Sequence, residues 1–219
     1  MWCIGEITAE YRQRMEELLG LYARPYDPKE PVVCVDEKSK QLLQQTRAPI
    51  PMQVGAVARE DYEYKRAGTR NIFLAVEPKG QRREAAVTGR RAKPDFVGFV
   101  KHLVDEVYRG AQKVHLVLDN LNTHFRGSFE EVLGVERAEP LLQRVQFHYT
   151  PKHASWLNMA EIEIGIMERQ CTGRRIGSET VLASEVAAWQ HRRNDAGVGI
   201  EWKFTRQDAD RKLAKHYVS

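Results

Sequence analysis

The sequence predicts an α/β domain built on a mixed sheet, and three observations carry that prediction. Two strongly apolar runs, Val32-Val33-Cys34-Val35 and Val114-His115-Leu116-Val117-Leu118, have the length and character of strands buried on both faces. Each stops on an aspartate, Asp36 and Asp119. Strand candidates crowd the first half of the chain and then alternate with helical patterns, the order of an antiparallel meander followed by crossover units.

Residues 8–23 predict a helix, because Tyr11, Met15, Leu18, Leu19 and Tyr22 recur at three- and four-residue spacing. Pro25, Asp27-Pro28 and Pro31 break the chain into an extended linker. The first apolar strand spans 32–36, and the polar stretch 37–50, ending in Ala48-Pro49-Ile50-Pro51, is expected as a loop. Val54–Arg59, Ile72–Glu77 and Glu84–Thr88 are strand candidates, parted by Ala67-Gly68-Thr69 and Pro78-Lys79-Gly80. The short alternation Tyr62-Glu63-Tyr64 fits the first hairpin. Pro94 opens a helix at a position where its missing amide hydrogen costs little, Phe96, Val97, Val100, Leu103, Val104 and Val107 form its apolar face, and Gly110 ends it. The second apolar strand covers 113–119, a short helix 126–134, and a further strand Val145–Tyr149 closes at Thr150-Pro151. Helices over 156–172 and 179–193 complete the chain, leaving 196–219 as a tail. This order outlines an RNase H-like fold, a mixed five-stranded sheet with flanking helices.

At 219 residues the chain suits one domain with an appendage, and its 42% hydrophobic content supports a sizeable core. No stretch approaches the roughly 20 apolar residues of a membrane span. The N-terminus lacks the basic-then-apolar pattern of a secretory signal. Cys3, Cys34 and Cys171 are widely spaced and odd in number, which argues against a zinc site or a disulfide framework. A reducing compartment follows, the bacterial cytoplasm including the nucleoid. The formal charge is +4, and the segment from Arg169 onward carries ten Lys/Arg against six Asp/Glu, so the surplus lies there. The pairs Arg82-Arg83, Arg90-Arg91 and Arg192-Arg193 are ordinary solvated ends or phosphate contacts on charge alone.

The stretch 156–172, plotted at about 100° per residue, has two apolar stripes. Leu157, Ala160, Ile164, Met167 and Cys171 form one, and Met159, Ile162 and Ile166 the other. Glu161 lies on one polar edge with Asn158 and Glu168, and Glu163 lies on the opposite edge with Gln170. Only one of the two glutamates joins the aspartates, and periodicity does not choose between them. An aspartate after a strand is by itself an ordinary turn or cap residue. Three carboxylates brought together repel one another unless cations neutralise them. Hard oxygen donors of this kind suit magnesium or manganese, which points to two-metal chemistry on phosphodiesters.

At these segments the sequence resembles the DDE catalytic domain of bacterial insertion-sequence transposases of the mariner superfamily. The strings that carry the resemblance are Val33-Cys34-Val35-Asp36-Glu37-Lys38, Leu118-Asp119-Asn120-Leu121-Asn122-Thr123-His124 and His153-Ala154-Ser155-Trp156-Leu157-Asn158-Met159-Ala160-Glu161. The resemblance implies Asp36 and Asp119 as the two aspartates. It also selects Glu161, which follows Asn158-Met159-Ala160 where the family carries an Asn-Pro-Ile-like triplet. The 41 residues between Asp119 and Glu161 exceed the spacing of many relatives, with the insertion expected at 126–144 as a surface helix and loop. It implies a catalytic domain over 32–195 that uses two Mg²⁺ (or Mn²⁺) ions for DNA strand cleavage and strand transfer, acting on double-stranded DNA as a homodimer. Members usually begin with helix-turn-helix modules, whereas here Met1 stands some thirty residues before the first catalytic strand, so a separately encoded module is expected. Lys38, Lys152, Arg174 and Arg175 are the expected DNA contacts, with Trp156 as a base-stacking residue or a core anchor. His124 and His153 are expected to hydrogen-bond around the acids, and Asn120 and Asn122 to shape the turn. The alternatives are a truncated, non-catalytic DNA-binding or inhibitory remnant, and an RNase H-like nuclease acting on hybrids.

Overall fold

A computed structural model describes residues 7–217. One mixed sheet runs β3-β2-β1-β4-β5. Its strands are β1 (Val32–Gln45), β2 (Tyr64–Glu77), β3 (Arg82–Thr88), β4 (Val114–Leu118) and β5 (Val145–Tyr149). The first three pair antiparallel, and β4 and β5 run parallel to β1. The helices are α1 (Ala9–Ala23), α2 (Lys93–His102), α3 (Arg126–Leu133), α4 (Val135–Gln143), α5 (Met159–Met167), α6 (Glu179–Asp195) and α7 (Arg206–Leu213). This is the RNase H-like arrangement.

Alternation along the strands divides the core. Val33, Val35, Phe73, Ala75, Leu116 and Leu118 meet α2, α3 and α4 on one face. Cys34, Val76 and Val117 meet α1, α5 and α7 on the other, continued under α6 by Ile72 and Leu74. Each fully buried Val or Leu contributes about 1.5–3 kcal/mol, so β4, buried at all five positions, is a strong organising element. No helix among the described residues is long and apolar enough to cross a membrane.

Several expected elements differ. The polar stretch after Asp36 is strand as far as Gln45, pairing with β2 from Glu37↔Phe73 to Gln45↔Tyr64. Its outer half forms an arm with few buried side chains, so it carries no apolar alternation to read. Val54–Arg59 is not a strand. It is the irregular tip of this hairpin, with only the isolated bridges Ile50↔Arg59 and Gln53↔Ala56, and with Val54 and Val57 exposed. The segment 126–144 holds two helices rather than one, and α4 buries Ala138, Leu141 and Leu142. The helix expected over 156–172 is a 3₁₀ turn (Ser155–Leu157), then α5, then a π turn (Glu168–Thr172). Within the stretch expected as a tail, α7 is capped by Thr205 with Asp208 and buries Ala209 and Leu213 near α1.

Beneath α1 a polar chain crosses the apolar layer. Arg24 Nη1 lies 3.0 Å from His115 Nε2, His115 Nδ1 lies 2.9 Å from His148 Nε2, and His148 Nδ1 lies 2.6 Å from Glu17 Oε1. Arg24 only donates and the Glu17 carboxylate only accepts, so the chain is complete when both rings are neutral and each carries its proton on Nδ1. An added proton would set two donors face to face. Glu30, paired with Arg24, approaches His115 Nε2 at 3.5 Å, and Lys113 lines the same cleft. Burial, with the charges of His148 and Arg24, holds His115 below the usual histidine range, and burial outweighs Glu17 to lower His148 as well. Stability from this chain is therefore present above the ordinary histidine pKa of about 6.5 and is lost as pH falls through the lowered values. Ring ¹H–¹⁵N spectra near pH 7 should show both rings neutral with His115 protonated on Nδ1. The melting temperature should fall on acidification, and less so in His148→Gln. A proton on His115 Nε2 would reverse the chain's direction and sink this account.

Candidate active site

Asp36 lies in β1 two residues beyond Cys34, and so on the face that carries α5. Parallel pairing of Cys34 with Val117 brings Asp119, just past the end of β4, alongside it. The third acid arrives from the helix above. Asn158 caps α5, its Oδ1 accepting from Ala160 N at 3.1 Å, and its Nδ2 donates to the Val35 carbonyl at 2.9 Å. The helix start is thereby tied to the peptide that leads into Asp36. Burial, together with the charges of Glu37, Asp119 and Glu161, pushes the Asp36 carboxyl up to about 7, against the pull of the Glu37 amide that donates to Oδ1 at 2.7 Å.

Glu161 and Glu163 separate cleanly. Glu161 is exposed and within electrostatic range of Asp36. Glu163 is fully buried, accepting from Arg83 Nη2 at 3.1 Å and from Arg193 Nε at 2.8 Å. Glu161, not Glu163, is thus the glutamate whose charge acts on Asp36.

His124 is buried, with its ring 4.4 Å from that of Phe96 between centroids. Its Nδ1 stands 2.7 Å from Asp119 Oδ1 and its Nε2 3.3 Å from Glu37 Oε2. Neither contact has hydrogen-bond geometry, so the ring is held by charge rather than by aligned bonds. Burial drags its pKa down, but the two carboxylates outweigh burial and raise it to about 9. Burial conversely raises Asp119, yet His124, the Leu121 amide and the charge of Arg91 together hold it below its usual range. Glu37 was not foreseen as a site residue. The only signal was its place beside Asp36, pointing to the opposite face. Arg91, from one of the basic pairs singled out from charge, stands on the loop before α2, 4.0 Å from Glu37.

As they stand, no three His, Cys, Asp or Glu side chains among the described residues converge tightly enough to enclose a metal ion. Asp119 is turned toward His124, and Asp36 toward the Glu37 amide. The donor set is nonetheless all hard oxygen with uncompensated like charge at Asp36, which fits a divalent cation after side-chain rotation.

The other expected contacts fall out differently. Lys38 Nζ is 3.3 Å from Glu168, close to α5, and Lys152 is exposed. Trp156 is partly buried, stacked on Trp202 at 6.2 Å and edge-on to Phe204 at 5.4 Å, which is the core-anchor arrangement. Arg174 pairs with Glu185 at 2.7 Å. Arg175 donates to Gln45 Oε1 and to the Asp61 and Tyr62 carbonyls, stapling the base of the β1–β2 loop. His153 is exposed in a turn with φ of 61° and makes no hydrogen bond to the acids among the described residues. Asn120 bridges Arg14 and the Thr150 carbonyl, holding the turn after Asp119.

A mixed five-stranded sheet with acids at the edge of its central strands and on a facing helix defines an RNase H-like nuclease architecture. A DDE superfamily endonuclease profile matches residues 31–182, more than half of the chain, and the chain belongs to that family. No curated protein matches it in sequence. Its fold is similar to the crystal structure of the Mos1 mariner paired end complex with Mn (TM-score 0.54, 14% identity, covering 90% of this chain and 61% of that one). It is also similar to the Mos1 transposase paired-end complex with left transposon end (TM-score 0.51, 15% identity, 90% and 61%). The Mos1 mariner paired end complex with Mg gives a TM-score of 0.50 at 13% identity, covering 100% and 66%. The chain therefore spans about three fifths of the first two proteins.

Because Asp36 titrates well above an unfolded aspartate, the metal-free fold binds its proton more tightly than the unfolded chain does. Asp36 thus costs stability increasingly as pH rises from about 4 towards 7. Asp36→Asn should melt higher than the wild type at pH 8, with the gap closing near pH 4. An equal gap at both values would show that the fold does not raise the Asp36 carboxyl.

Proposed function

We propose that this chain is the catalytic domain of a DNA transposase that cleaves strands at element ends and transfers them into target DNA. The observation that supports this most is that Asp119, from the adjacent strand end, and Glu161, from a facing helix, both act by charge on Asp36 in a member of the DDE endonuclease family. The similar Mos1 structures are paired-end complexes with Mn, with the left transposon end or with Mg, which supports the same metals and DNA here. Asp36, Asp119 and Glu161 would hold two such ions, whose chemistry is to activate an oxygen nucleophile and to neutralise the leaving oxygen.

The chain's own residues have separate tasks. His124 restrains the Asp119 carboxylate from behind, and its charge offsets part of the repulsion between the acids. Lys152 is exposed, and Lys38 and Arg91 keep part of their side chains open to solvent, near the catalytic segments, where all three are suited to phosphate contact. Arg174 is suited to a more distant backbone contact, whereas the donors of Arg175 are engaged within the protein. Assembly as a homodimer on DNA, with terminal repeats read by a helix-turn-helix module, belongs to the same proposal, as does a bacterial nucleoid setting.

Nicking of supercoiled plasmid in Mg²⁺ or Mn²⁺ tests the reading. Asp119→Ala should lower the rate on the order of a hundredfold or more, the scale of removing one preorganised stabiliser of the transition state, while the protein stays folded. Unchanged nicking would remove Asp119 from the chemistry. A folded wild-type protein that binds DNA but neither cleaves nor binds Mn²⁺ would favour a non-catalytic, inhibitory product.

A further inference from the structure

We propose that Asn158 and the buried Arg83–Glu163–Arg193 cluster are positioning residues that aim α5, and with it Glu161, at the aspartates. The proposal rests on the functional reading above. Asn158 is buried and uses both ends of its amide, one to cap α5 and one to hold the Val35 carbonyl beside Asp36. Glu163 and Arg83 are both fully buried. Arg83 reaches Glu163 from β3, and Arg193 reaches it from α6 with Nε at 2.8 Å and Nη2 at 3.3 Å. Arg83 is itself fixed, its Nη1 donating to the Gln81 carbonyl at 3.0 Å and its backbone exchanging two bonds with the Asn194 amide.

Geometry gives these contacts their leverage. At about 100° per residue, Glu161 lies some 60° from Asn158 and nearly opposite Glu163. Any rotation of α5 that turns Glu161 away from Asp36 must break the Asn158 bond or draw Glu163 out of its two guanidiniums. The apolar stripe of Leu157, Ala160, Ile164 and Met167 buries well, but apolar contacts are non-directional and resist small rotations weakly. A buried ion cluster is poor evidence of stability in itself, because apolar replacements often serve as well. Its value here is orientation, at a distance of two residues from a catalytic carboxylate.

The test is Mn²⁺ affinity of the DNA-free protein, read by electron paramagnetic resonance, alongside the melting temperature. Three variants weaken the clamps. Arg193→Met leaves Arg83 and Glu163 paired one to one, Glu163→Gln keeps shape and loses charge, and Asn158→Ser keeps a cap oxygen but does not reach Val35. Gln190→Ala is the control, since it removes bonds between α6 and β3 at Ala85 and Glu84 without touching the cluster. Glu161→Gln reports on the functional reading. The proposal expects Arg193→Met and Asn158→Ser, in folded protein, to weaken Mn²⁺ binding about tenfold, the scale for groups that orient metal ligands. Gln190→Ala should lower the melting temperature and keep wild-type affinity. If Glu161→Gln binds Mn²⁺ as the wild type does, the functional reading itself fails. If Glu161→Gln weakens binding while the folded clamp variants do not, positioning is overturned and the reading stands. A loss in Gln190→Ala equal to that in the clamp variants would mean general loosening and would also overturn it.

Discussion

Burial of the Asp36 carboxylate among other acids is the constraint on which the rest of the site depends. Three carboxylates gathered at the edge of an apolar sheet lose solvation and oppose one another. The rise of the Asp36 carboxyl to about 7 is the direct sign of that pressure. Each acid is therefore carried by a different rigid element and held by a different device. Asp36 is fixed by the five-stranded ladder and the Glu37 amide, Asp119 by His124 and its own turn, and Glu161 by the anchored start of α5.

The period of a strand then solves a second problem. Asp36 and Glu37 are consecutive, so one faces α5 and the other faces the helices of the opposite layer. Glu37 is buried there against His124, whose ring packs on Phe96 of α2 and whose other nitrogen faces Asp119. The α2–α3 layer thus bears on the face that carries Asp36 and Asp119 through one imidazole. A buried histidine between two carboxylates balances charge in a place where either acid alone would be costly.

How far this was legible in the sequence follows from what each residue touches. Asp36 and Asp119 stood out because each follows a strongly apolar run, and such a run shows itself in composition alone. Val145–Tyr149 and the helix after Pro94 were legible for the same reason. The outer half of β1 was hidden because Leu42 is the one side chain of that arm that is fully buried, so no alternation marks it. The exposed Val54 and Val57 imitated a strand where a hairpin tip lies. The choice between Glu161 and Glu163 lay beyond periodicity. It depends on Arg83 and Arg193, 80 and 30 residues away from Glu163, converging on one carboxylate.

The basic residues show the same limit from the other side. Charge is visible in a sequence, but its partner is not. Arg174-Arg175 and Arg90-Arg91 look equivalent as dipeptides, yet Arg175 donates to the carbonyls of Asp61 and Tyr62 while Arg91 stays half-exposed beside the acids. A guanidinium whose donors are engaged by the backbone has little left for a phosphate, whereas one that already lowers the Asp119 carboxyl through space acts where a phosphodiester must approach. The electrostatic face of this site is therefore set less by the net charge of the chain, or by its basic C-terminal third, than by the few cations that the fold leaves uncommitted around Asp36 and Asp119.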